Sequence, residues 1–79
     1  MIDKQVIRDF LTTLAGKDIR IGDDDSLLAT RLLDSLKVVE MVAFLESHYQ
    51  VTFDSDELIP DNLDTINAIA RLLERKGVS

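Results

Sequence analysis

The sequence predicts an all-α fold: a small four-helix bundle of three longer helices and one short one, with a long first loop. Apolar residues recur at helical spacing in three separate segments, and nothing inside those segments breaks a helix. No run alternates apolar and polar residues for long enough to build a sheet, since Val51-Thr52-Phe53 is too short for an independent strand.

The first helix is read over Ile2 to Leu14, where Ile2, Val6, Phe10 and Leu14 recur every fourth position and Ile7 and Leu11 widen the stripe. Gly16 suits a left-handed cap at its end. From Lys17 to Ala29 no period is sustained, so this stretch is a long connection pinned to the core by Ile19, Ile21, Leu27 and Leu28. A structureless loop of that length is uncommon in a compact domain, which predicts partial order and one helical turn around Ser26 to Thr30. The second helix runs from Ser35 to Tyr49, with Val38, Met41, Val42, Leu45 and Tyr49 on its core side. Asp54 with Glu57 fits a capping box for a short helix that Pro60 and Asn62 should end. Asp64 or Thr65 caps the last helix, in which Ile66, Ile69, Ala70 and Leu73 are spaced for burial. Arg71, Arg75 and Lys76 stand near its negative end, with Gly77 after it.

With 79 residues, 46% of them apolar, the chain reads as one domain spanning residues 1–79. A chain this short buries only about 60% of its unfolded surface. That leaves little room for an enclosed active site and argues against an enzyme. The absence of cysteine excludes disulfides, thiolate zinc sites and thiol nucleophiles. Fifteen acidic against nine basic side chains give a net charge of −6, which repels a phosphate backbone, so no nucleic acid is expected as a partner. Met1-Ile2-Asp3-Lys4 has no signal-like apolar run, and no stretch approaches the roughly 18 apolar residues of a membrane helix. The expectation is a cytoplasmic monomer without membrane insertion.

On a helical wheel with Ser35 at the origin, the core direction of the second helix lies near about 300°. Ser35, Val39, Ala43, Leu36, Ser47 and Glu40 fan out on the side turned away from it. Leu36 and Val39 are thus apolar without a core reason, either as scattered surface residues or as a docking strip. Phe44, near about 180° on the same wheel, is expected to pack under the third helix. At a helix start, unpaired N–H groups and the positive dipole end favour an anion attached to the Ser35 hydroxyl. The plainer reading is that Asp34 or Ser35 is only an N-cap.

Leu33-Asp34-Ser35-Leu36, then Val38-Val39-Glu40-Met41-Val42-Ala43-Phe44-Leu45-Glu46, then an acidic short-helix segment after Val51-Thr52-Phe53, resembles an acyl carrier protein over nearly the whole chain. The resemblance implies an acyl-carrier-protein-like bundle. Ser35 would then carry 4′-phosphopantetheine, transferred from coenzyme A by a separate phosphopantetheinyl transferase, with acyl groups held as thioesters on the arm's thiol. Asp34 and Leu36 correspond to motif residues read by the transferase. Leu36, Val39, Glu40, Ala43 and Glu46 match positions used for partner docking. The partners implied are that transferase, an acyl- or aminoacyl-loading ligase or transferase, and a downstream synthase or transferase. No metal is implied.

The chain also departs from the family pattern. Leu32 stands where a glycine is usual, Lys37 where fatty-acid carriers have an acidic residue, and Ser47 and His48 in a region that is often acidic. These departures point to a specialised pathway, polyketide-like or aminoacyl-loading, ahead of general fatty-acid synthesis. Asp34 stands where peptidyl carriers usually have histidine, which argues against a standard nonribosomal peptide module.

Three other readings compete. A serine hydrolase needs a base beside Ser35, yet His48, the one histidine, lies 13 positions along the same helix, about 20 Å away. A calcium site is suggested by Asp23-Asp24-Asp25 and by Asp54, Asp56 and Asp61, but neither run has the glycine and ligand order of an EF-hand, so both read as solvated loops. A helical interaction module using Leu36, Val39 and Phe44 without a prosthetic group is the alternative from another class.

Overall fold

The computed structural model describes residues 2–78, and among them there is no strand. The α-helices are α1 (Lys4–Ala15), α2 (Ser35–Tyr49), α3 (Pro60–Leu63) and α4 (Ile66–Arg75), with a 3-10 turn at Ser55–Glu57.

Helix α1 begins two residues later than the periodicity suggests, because Asp3 is extended and caps it, its carboxylate accepting from the Gln5 N–H at 2.9 Å. Ile2 belongs to the core without being helical. Gly16 ends the helix at φ 73°, as the sequence required. The connection that follows is ordered: Leu27 is buried, Ile19, Ile21 and Leu32 pack on the core, and Thr30 N–H donates to the Ser26 carbonyl, whereas Leu28, expected to pin the loop to the core, is exposed. Helix α2 has the bounds read from the sequence and ends on Gln50 in the left-handed region at φ 57°.

The reading of Pro60 and Asn62 as terminators is corrected by the structure, since Pro60 is the first residue of α3. Proline is well suited there, because the first helical position has no partner for an N–H and wants a fixed φ. The short helix is therefore split. The Asp54–Glu57 capping box holds the three-residue 3-10 turn, and α3 follows as a single turn of its own. Thr65 caps α4, accepting from the Ala68 N–H at 2.9 Å, which leaves Asp64 for another task.

Helix α4 packs against α3 and α1, and α1 packs against α2. Ile66, Ile69, Ala70, Leu72 and Leu73 of α4 meet Ile7 and Leu11 of α1 and Met41 and Leu45 of α2 in one core. Phe44 does not lie under the third helix. It stacks on Phe10 of α1 with ring centroids 4.1 Å apart, because α1 covers that side of α2 while the α3 segment lies beside Val38. No helix among the described residues is long and apolar enough to cross a membrane.

Candidate functional site

Ser35 is the first residue of α2 and is exposed. The capping work falls to Asp34, whose Oδ1 accepts from the Lys37 N–H at 2.9 Å while its carbonyl accepts from Val38 at 2.8 Å. The Ser35 hydroxyl is therefore not needed to finish the helix, and it stands at the end where the backbone dipole favours negative charge.

Beside it opens an apolar cavity of about 350 Å³, walled by Leu28 and Leu33 from the first loop, Val38 from α2, and Leu58, Pro60 and Leu63 from the α3 segment, with Ser35 at its edge. The exposed large apolar side chains among the described residues are Leu28, Leu36, Val39, Leu58 and Ile59. Leu28 and Leu58 line this cavity, Ile59 lies between two of its lining residues in the chain, and Leu36 and Val39 follow Ser35 on α2. Exposed apolar surface is thus gathered around one hydroxyl.

All six residues placed on the outward fan of α2, namely Ser35, Leu36, Val39, Glu40, Ala43 and Ser47, are exposed, Leu36 at 69% and Val39 at 64%. Glu46 differs from the other docking candidates. It is half-buried, and its Oε2 accepts from the Phe53 N–H at 2.9 Å, tying α2 to the segment after it. Lys37 makes no ion pair among the described residues, and Glu40 is the one charged residue among the six of the outward fan.

The missing glycine also has a structural account. The left-handed residue in the turn before α2 is Arg31, at φ 62°, and Leu32 instead packs against the core. Nothing in the residue type of an arginine signals this. The acidic run of the first loop diverges: Asp23 pairs with Arg8 at 2.6 Å, Asp24 accepts from Asn67 at 2.7 Å, and Asp25 accepts from the Gly22 N–H at 2.7 Å. Among the described residues no three acidic or imidazole side chains converge where they could hold a metal. His48 is exposed and stacks on Phe44 with centroids 5.1 Å apart.

Groups with shifted pKa values lie elsewhere. Burial, with a smaller contribution from the charge of Asp3, pushes the Tyr49 phenol up. Glu57 is lowered by the Asp54 N–H it accepts and then by Lys76, and Lys76 is raised by its hydrogen bond to Glu57.

An exposed serine at a helix head, freed from capping and facing an apolar cavity, is the arrangement a covalent carrier needs. Residues 5–73 match the family described as "Phosphopantetheine attachment site", and the chain belongs to that family. It is a carrier protein, and the prosthetic group of the family is covalently attached phosphopantetheine. The residues present fit that group: Ser35 is exposed and no charged residue lines the cavity beside it. The chain is similar to the D-alanyl carrier protein of Leuconostoc citreum, with 31% identity over 94% of this chain and 95% of that one. It is 32% identical to the D-alanyl carrier protein of Leuconostoc mesenteroides, over 90% and 91% of the two chains. It is also similar to that of Lactobacillus acidophilus, at 28% over 94% of each.

Proposed function

We propose that Ser35 is the attachment point, and that the chain acts as one carrier domain presenting an aminoacyl thioester to successive cytoplasmic enzymes. The observation that carries this reading is the exposed Ser35 hydroxyl at the head of α2, relieved of capping by Asp34 and ringed by exposed apolar side chains. In the attachment, the Ser35 oxygen forms a bond to the pantetheine-side phosphorus as the phosphoanhydride bond of coenzyme A breaks and adenosine 3′,5′-bisphosphate leaves. The hydroxyl proton passes to a base of the separate transferase. When bound, the arm supplies a thiol that holds the cargo as a thioester. The protein's own residues anchor the arm and offer Leu36, Val39, Glu40 and Ala43 to partners, while Asp34 keeps the helix head closed beneath it.

An aminoacyl cargo is favoured over a polyketide or fatty acyl one for two reasons. The named relatives are D-alanyl carriers, and Lys37 stands where a general fatty-acid carrier would have an acidic residue. The partners are then a phosphopantetheinyl transferase, an aminoacyl-loading ligase and a downstream transferase. Weak docking suits a carrier that visits several enzymes, and exposed charges steer such encounters.

Incubation of the purified chain with coenzyme A and a broad-specificity phosphopantetheinyl transferase, followed by intact mass measurement, is the test. One added phosphopantetheine is expected on the natural chain and none on Ser35→Ala, whose stability should change by no more than about 1 kcal/mol because Asp34 makes the cap. An unmodified natural chain, under conditions that load a known carrier, would overturn the reading and favour an interaction module without a prosthetic group. Charging of the modified chain by a D-alanine-activating ligase tests the cargo separately.

A further inference from the structure

Asp64 occupies the joint between α3 and α4, and three donors of the first loop converge on it. The Ser26 hydroxyl lies 2.8 Å from both carboxylate oxygens, the Leu28 N–H donates to Oδ1 at 3.0 Å, and the Leu27 N–H donates to the Asp64 carbonyl at 2.6 Å. The early half of the loop is held by other side chains: Arg8 donates to the Ile21 carbonyl and to Asp23, and Asn67 to Asp24. Among the described residues, no other side chain outside the loop hydrogen-bonds to residues 26–33. From there the connection to the candidate site is short. The Leu27 carbonyl accepts from the Leu33 N–H at 3.0 Å, and Asp34 and Ser35 follow in the chain. Leu28 and Leu33 form one wall of the cavity, and Leu63, the residue before Asp64, stands in the other.

We propose that Asp64 is a positioning residue of the carrier site. It stitches the two walls of the cavity together and so sets where the Ser35 hydroxyl stands toward an incoming phosphoryl donor. This rests on the reading of Ser35 as the attachment point. A carboxylate suits the task because its two oxygens accept the hydroxyl and the amide together, and charge makes both bonds stronger than neutral ones. The work is remote: Thr65 caps α4, so the Asp64 side chain is not needed to start that helix.

The test combines the kinetics of phosphopantetheine transfer, with coenzyme A as donor, with amide hydrogen exchange on the natural chain, Asp64→Asn, Asp64→Ala and Ser26→Ala, at a temperature well below every melting point. In Asp64→Ala the kcat/KM of transfer is expected to fall by roughly tenfold, the scale of a modest misplacement of a reacting group. Asp64→Asn, which keeps one acceptor oxygen, should recover part of the loss. Exchange protection should drop at Leu28 and Leu33 and stay unchanged at Ile69 and Leu73. Transfer to Asp64→Ala at the natural rate, or protection lost equally at Ile69 and Leu73, overturns the proposal. If Asp64→Ala does not fold, Ser26→Ala, which deletes a single hydroxyl, decides by the same two readouts. A natural chain that is not modified at all sinks the carrier reading itself, an outcome distinct from equal rates across the series.

Discussion

Helix α4 buries six of its ten residues, whereas α2 buries two of its fifteen. The difference reflects how apolar residues are placed around each cylinder. In α4 they fall in one stripe, with Arg71, Glu74 and Arg75 exposed, so the helix has one inward face and its packing does the holding. In α2 they lie on opposite sides: Met41 and Leu45 point into the core while Leu36 and Val39 stand in solvent. One helix is scaffold. The other spends part of its apolar surface away from the fold, where a partner can use it.

The contrast breaks first under core truncation. Ile69→Ala should destabilise the chain by about 2–5 kcal/mol, the range for emptying a buried aliphatic site, whereas Val39→Ser, on the outer face of α2, should stay within about 0.5 kcal/mol. Denaturant unfolding of the two variants checks both, and equal losses would erase the distinction between the helices. A smaller change sharpens it from the loop side. Arg31 holds a left-handed backbone that costs an ordinary residue roughly 1–2 kcal/mol, so Arg31→Gly should raise stability by up to about 1 kcal/mol, part of the relief being offset by the greater freedom of glycine when unfolded. A fall in the unfolding midpoint would show that the arginine side chain makes a compensating contact.

The smallest effect is on pH. Glu57 has a lowered pKa, so its contribution is present above the unfolded carboxylate value of about 4 and is lost as acid protonates it. Lys76 and Tyr49 have raised values, so theirs is present below about pH 10 and is lost as alkali removes their protons. The melting temperature should therefore fall at both extremes. Glu57→Gln should flatten the acid side, and Tyr49→Phe the alkaline side. An unaltered profile in either variant would mean that the group is not linked to folding.

Much of this was legible along the chain because it depends on neighbours. The bounds of α2, the Asp54–Glu57 capping box, the glycine after α1 and the stripe of α4 all follow from residues within a turn or two of one another. The outward fan of α2 was legible too, since a helical wheel needs only the direction of the core. What stayed hidden depends on distant partners or on a residue with two uses. Pro60 can end one helix or open the next, and only the split of residues 54–63 into two turns decides it. Phe44 pointed sideways on the wheel, but which element met it depended on how α1 crosses α2. Asp64 was read as a possible cap, and its bond to Ser26 spans 38 positions, beyond any local pattern. Arg31 carries a backbone conformation that its residue type does not announce.

The chain has no tryptophan and a single tyrosine, and that tyrosine closes α2 with its hydroxyl buried and without a hydrogen-bond partner among the described residues. It lies 14 positions from Ser35, about 21 Å along the helix. Intrinsic ultraviolet emission is therefore a built-in reporter of whether the bundle is assembled. It is placed too far from the head of α2 to be disturbed by chemistry there, so the emission follows unfolding alone, whether or not Ser35 carries a group.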